Sequence, residues 1–197
     1  MSTLWHKVWH DLWAHKARTG LAMFSISLGV FSVGAIFGLV DQLLTGMDAA
    51  HQAVAPSHFN IILRGFADDA LVDDLRTLDG VAGIDPVNQL PVRYRTSATG
   101  RWEQGNLVHR PDYANQTFDR FSLLAGTWPT SPTVGLERLT SQYFALPPGA
   151  DVTFDIAGTP ITFPTQGLIR HPFVQPPAFG GRAHFFVDTA TLPEFGI

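Results

Sequence analysis

The 197-residue sequence predicts an α+β protein: one N-terminal transmembrane helix with a stalk, followed by a mixed α+β extracytoplasmic domain on a largely antiparallel sheet. Three observations predict it. Thr19–Val40 is a run of 22 residues without a charge. The basic residues before it, Lys7, Lys16 and Arg18 against Asp11, give net +2 within a chain of net −4, which leaves −6 for residues 19–197. After residue 56, short apolar runs with period-two alternation are separated by Gly, Pro, Asn and Asp, and only two stretches have helical periodicity. The absence of cysteine excludes disulfide frameworks, thiolate metal sites and cysteine nucleophiles. The weak negative charge supplies no basic field, so nucleic acid is not an expected partner.

The chain begins with an amphipathic elbow, residues 1–18. Leu4, Trp5, Val8, Trp9, Leu12 and Trp13 recur on one helical face, while His6, Lys7, His10, Asp11 and His15 occupy the other. Three Trp on an apolar stripe with cations opposite fit a helix lying in the membrane interface, so Trp5, Trp9 and Trp13 are assigned to membrane lipid. His6 and His10 have i, i+4 spacing, but no third ligand follows at suitable spacing and no metal is expected.

Residues 19–40 form the span. At 1.5 Å per residue the helix is about 33 Å long, enough for a hydrocarbon core of about 30 Å. Eleven of its residues are Leu, Ile, Val or Phe, worth about −3 to −7 kcal/mol of insertion free energy. As a buried helix of a soluble protein it would carry Gly20, Gly29, Gly34 and Gly38, each costing about 1 kcal/mol relative to Ala. In lipid, Gly34-Ala-Ile-Phe-Gly38 is a GxxxG that lets a second helix approach, and Gly34 and Gly38 are the helix-packing residues expected from sequence. Ala53-Val54-Ala55 imitates a signal cleavage site, but the apolar stretch is too long and the cut too distant from it. Basic residues precede the span, and none follows until Arg64. The N-terminus is therefore expected in the cytoplasm and residues 41–197 outside.

Residues 41–56 continue the helix as a stalk through Leu43, Leu44, Met47 and Ala50, ended by Pro56. The outer domain, residues 57–197, opens with a predicted strand Phe59–Leu63. A helix follows from the capping pair Asp68-Asp69 to Leu78, with Leu71, Leu75 and Leu78 as its apolar stripe. Strands are expected at Val81–Val87, Pro91–Thr96 and Trp102–His109, with alternating apolar residues over Phe118–Leu124. A short helix Glu137–Leu146 is predicted to end at Pro147-Pro148-Gly149. Val152–Ile156 and Ile161–Leu168 flank a hairpin signal at Ala157-Gly158-Thr159-Pro160, His171–Gly181 reads as an irregular loop, and Ala183–Val187 is the last strand.

No sequence pattern carries catalysis. HExxH, GxSxG, the phosphate-binding P-loop and a GxGxxG after a strand are all absent. The doublets Asp68-Asp69 and Asp73-Asp74 read as capping charge and a solvated face. His109, Asp112, His171 and His184 have no spacing that would assemble them. No enzyme activity, cofactor or metal is expected. The functional lead is the 171–181 loop, where Phe173 and Phe179 among prolines either meet a partner or cargo or pack over the sheet edge.

The order of these parts resembles the MacB-like and FtsX-like permeases of ABC transporters. KVWHDLWAHKARTGLAMFSISLGVFSVG at 7–34 is similar to their elbow and first span. LVDDLRTLDGVAGIDPVNQLPVRYR at 71–95 and LERLTSQYFALPPGADVTF at 136–154 are similar to units of their outer domain. The resemblance implies a cell-membrane permease subunit whose outer domain, MacB-like, moves with ATP-driven closure of a separate ABC ATPase to export or extract cargo. It also implies a homodimer or a heterodimer with another permease. Such permeases have three further spans after the outer domain, so the chain reads as a truncated product or N-terminal part. The alternative from the residues alone is a single-span anchored binding or sensor protein.

Overall fold

The computed structural model describes residues 2–63, 65 and 69–197. Arg64 and Asp68, used above for topology and capping, lie outside the described residues, as do the side chains of Leu4, Asp11 and Asp69. The chain divides into two units, residues 1–53 and 54–197.

The first unit is two helices, α1 (Ser2–Ala14) and α2 (Lys16–Ala53), separated by a turn at His15. The 38 residues of α2 extend about 57 Å, so span and stalk are one element. None of its described side chains is buried within the chain. Its hydroxyls bond back onto the helix, Ser25 Oγ to the Leu21 carbonyl at 2.9 Å, Ser32 Oγ to Leu28 at 2.7 Å and Thr45 Oγ1 to Asp41 at 2.7 Å. Each of these three hydroxyls thereby has a partner on its own helix. The helix ends at Ala53, and Ala55 takes a left-handed φ of 49° before Pro56, whose ring disfavours helical geometry in the residue ahead of it.

In the second unit, α3 (Asp69–Arg76) precedes the strands β1 (Asn88–Arg95), β2 (Glu103–His109), β3 (Ser122–Ala125) and β4 (Val134–Glu137). Then come α4 (Arg138–Phe144), β5 (Asp151–Ile156), β6 (Thr159–Arg170) and β7 (Ala183–Val187), with short 3-10 segments at Pro177–Phe179 and Thr189–Phe195. The sheet is mostly antiparallel, as expected, with parallel pairs β2–β7 and β4–β6. Pairing runs β6–β4–β7–β2–β1–β5 and returns to β6, so six strands close into a ring and β3 is added on β6.

Period two sorts the strand residues onto two sides of this ring. Leu107 of β2, Ala183, Phe185 and Val187 of β7, and Val134 and Leu136 of β4 join Tyr94, Val152, Phe154 and Phe163 in the main core, with Leu192 and Phe195 of the last 3-10 segment. The intervening residues, Val108 of β2, Phe186 of β7 and Ile169 of β6, form a second cluster with Tyr113 and Phe121 from the loop after β2. That cluster is the floor on which the polar network described below is built.

Several expected elements differ. Phe59–Leu63 is not a strand but exposed coil, and among the described residues no strand pairs with it to take its N–H and C=O groups. Val81–Val87 is also irregular: Pro86 has no N–H, and the Asp85 carboxylate instead accepts the N–H groups of Thr117 at 2.6 Å and Phe118 at 2.8 Å. α3 ends at Arg76, two residues short of Leu78; its buried residue is Val72, whereas Leu71 on the helix and Leu78 beyond it are exposed. Of Phe118–Leu124 only the end, continued to Ala125, is strand. β4 is buried at all four positions and so lacks the alternation that marks a half-exposed strand. α4 stops at Ala145, in the left-handed conformation at φ 51°, two residues before the expected prolines. The β5–β6 turn is tighter than expected, with Ala157 and Gly158 at φ 49° and 87°, the geometry of a two-residue hairpin, so Thr159 and Pro160 belong to β6.

Gly167 is the one position in β6 where backbone crowding dictates the residue. Its φ is +77°, and a Cβ there would run into the Thr127 carbonyl oxygen. The β3–β6 register shifts between Leu123 and Ala125, close to this point.

Candidate functional site

Within the second unit, the residues that leave α2 are fastened to the loop ahead of β3. Arg120 N–H donates to the Val54 carbonyl at 2.9 Å and Asp119 N–H to the Ala55 carbonyl at 3.0 Å. Ser57 N–H donates to Asp119 Oδ1 at 3.0 Å and Ser57 Oγ to Asp119 Oδ2 at 2.6 Å. Val54 is buried. Ala55 and Asp119 face each other across this clamp in left-handed conformations, φ 49° and 47°. Asp tolerates that region through its short polar side chain, but Ala does not, and holding it there costs about 1–2 kcal/mol that the surrounding bonds offset. Asp119→Ala is expected to remove both Ser57 bonds and lower stability by about 1–3 kcal/mol. The check is the denaturation midpoint, together with faster amide exchange at residues 54–57.

The loop that carries Asp119 is organised by a buried guanidinium. Arg110 directly follows β2 and is 3% exposed. Its Nη1 donates to Gln116 Oε1 at 2.7 Å, its Nη2 to the Phe118 carbonyl at 3.1 Å, and its plane lies 4.6 Å over the Phe121 ring. Asp85 is 4.0 Å away. Gln116 completes the turn, accepting Phe121 N–H at 2.7 Å and donating to the Tyr113 and Phe121 carbonyls. The Tyr113 hydroxyl reaches the Val187 carbonyl at 2.9 Å and the Val108 carbonyl at 3.1 Å, and burial pushes its pKa up. Asp112 accepts the N–H groups of Ala114 and Asn115 and the Asn115 side-chain amide, the last lowering its pKa most.

On this network rests the start of the 171–181 loop. His171 lies 4.6 Å from Phe121, 5.8 Å from His184 and 6.4 Å from Phe186, ring to ring. Its Nδ1 accepts Phe173 N–H at 3.2 Å. His184 of β7 donates Nδ1–H to the Arg182 carbonyl at 2.9 Å, which leaves Nε2 to accept the Asn106 amide at 3.1 Å. Burial lowers the pKa of both histidines, that of His171 to about 4. Beside them, Glu137 caps α4 by accepting Leu139 and Thr140 N–H, and burial pushes its carboxyl pKa up against those bonds. Thr140 Oγ1 in turn accepts His184 N–H at 3.1 Å.

The sequence-predicted residues fall in three places. Trp5, Trp9 and Trp13 stand exposed on α1. A methyl group on Gly34 or Gly38 would meet nothing within 4 Å, so that face of α2 is open to a neighbouring helix and to lipid alike. Phe173 is 53% exposed and Phe179 is 76% exposed, and Phe179 closes the Pro177–Phe179 turn. Of the four scattered polar residues, only His171 and His184 meet. His109 bonds to Asn88 and Thr189, and Asp112 stays at its turn. No group of three metal-ligating side chains occurs among the described residues. Sequence reasoning missed Arg110, Gln116, Asp119 and Glu137, whose roles depend on contacts that no local pattern records.

No family model and no curated protein matches the chain. Among solved structures, it is similar to the periplasmic region of MacB from Actinobacillus actinomycetemcomitans, at 14% identity and a TM-score of 0.42, covering 61% of this chain and 54% of that one. It is also similar to the extracellular domain of the noncanonic ABC-type transporter YknZ from Gram-positive bacteria, at 13% identity and a TM-score of 0.45, covering 73% of this chain and 75% of that one. The chain thus spans about half the length of the MacB region it matches.

Proposed function

We propose that this protein is a cell-membrane permease subunit of an ABC transporter, with the N-terminus cytoplasmic and the domain after α2 outside. That domain moves when a separate ATPase subunit closes on the cytoplasmic side, and the movement exports or extracts cargo. A second permease, packed through the Gly34 and Gly38 face, completes the membrane part. The observation that carries this reading is the clamp: residues 54–57 continue directly from the apolar helix and are bonded at four points to the loop that Arg110 organises. The first residues after α2 are thereby part of the outer domain's own fold. The order of elbow, span and outer domain in the sequence gives the reading its direction.

The test is reconstitution of the subunit with ATPase chains encoded beside it, in lipid nanodiscs, with spin labels on the outer domain of each protomer. An ATP-dependent change of inter-label distance is expected. Replacing Trp5, Trp9 and Trp13 by Ala is expected to leave insertion intact, because the span suffices for it, and to uncouple hydrolysis from that change. A monomer that associates with no ATPase would instead make the chain a single-span binding or sensor protein.

A further inference from the structure

We propose that His171 is an acid-operated latch on the 171–181 loop: neutral, it holds the loop against the domain, and on protonation it lets the loop go. The geometry is specific. The loop leaves β6 at His171, and the first contact that turns it is the bond from Phe173 N–H to His171 Nδ1. That bond requires an unprotonated Nδ1, so the neutral ring carries its proton on Nε2. An imidazolium would present a second N–H to the Phe173 N–H, donor against donor, and the turn loses its tie.

The surroundings oppose the charge from nearly every side. The Phe121 ring lies 4.6 Å and the Phe186 ring 6.4 Å from it, and burial among them disfavours the charged form. From β7, His184 faces it, with Arg182 two residues before. From the end of β2, Arg110 adds a fixed positive charge, and from the following loop Asp119 is the opposing negative one, already engaged with Ser57. From β4, the Glu137 carboxylate is turned to the α4 N–H groups and to the His171 main chain.

The sign follows from linkage. The ordinary histidine pKa is 6.5 and that of the held ring is about 4, so the released state takes up the proton in preference. The held state is favoured above pH 6.5 and loses ground as pH falls from 6.5 towards 4. Between pH 7 and 5 the released-to-held ratio rises about twentyfold. Release loosens the turn at Phe173 while the ring of strands stays closed. The latch concerns the loop itself and stands whichever partner the loop meets.

Hydrogen exchange on the full chain in nanodiscs at pH 7 and pH 5, corrected for the intrinsic pH dependence of exchange, tests this. Protection of the 171–181 amides is expected to fall about twentyfold, with β6, β4 and β7 unchanged. In His171→Asn the amide oxygen stands where Nδ1 was and does not titrate, so the loop is expected to stay equally protected at both pH values. Loop protection independent of pH in the unaltered chain, loss spread equally over β7, or acid release undiminished in His171→Asn would each overturn the proposal. An NMR titration of the His171 ring in the unaltered chain is independent of the variant's folding: a midpoint well below 6.5 is expected, and one at 6.5 or above overturns the latch.

Discussion

Phe185→Ala is expected to bring the outer domain close to unfolding. Phe185 has no exposed surface, sits in the middle of β7, and meets Tyr94 edge-on at 4.8 Å and Phe154 at 5.0 Å. Truncation to Ala loses the transfer free energy of the ring and leaves a cavity among residues that cannot collapse into it, because strands paired on both sides fix β7. The cost is about 3–5 kcal/mol, against about 5–15 kcal/mol for a whole domain. Chemical denaturation followed by Trp fluorescence will read it as a large drop in midpoint. Phe179→Ala, on an exposed ring, is expected to change the midpoint by no more than about 0.5 kcal/mol. Similar losses at the two positions would contradict this placement of the core.

The second large effect concerns charge. Arg110→Met is expected to cost about 3–5 kcal/mol, since it removes the buried guanidinium at the centre of the network and leaves the Phe118 carbonyl without its donor. Arg110→Lys restores the charge but is expected to recover little. A single ammonium cannot reach Gln116 Oε1 and the Phe118 carbonyl together while lying flat on Phe121. Because the 112–121 loop also holds Asp119, both variants should speed amide exchange at residues 54–57. A lysine variant with the original midpoint and exchange would show that the planar fork is dispensable.

How far the sequence foretells these features depends on whether the signal is local. The span at residues 19–40 of α2 is plain from composition, because a long uncharged run has few other physical uses. The β5–β6 hairpin and β7 are legible because turn residues and alternation lie within a few positions of one another. Closure of the strands is not, since β2–β7 and β4–β6 pair residues far apart in sequence and a parallel pair has no turn to announce it. Phe59–Leu63 has a strand's composition, but among the described residues no strand pairs with it. The network around Arg110 is silent for a related reason: an arginine before a proline reads as a surface residue until Phe121, Gln116 and Asp85 converge on it. His171 and His184 could be named as candidates, but only the fold brings the two rings together.

The ring of six strands also has an elastic consequence. An open sheet of this size has a soft twisting mode, because its end strands are free to splay. Here β6 pairs on one edge with β5 and on the other with β4, so a twist begun anywhere must be matched around the whole circumference. Such a body is stiff in shear. Any load applied to one strand is therefore spent on turning or shifting the ring as a whole, and strain gathers at its attachments instead of within its strands. The compliant parts are the connecting segments, and a single point of traction can then steer every surface the ring carries.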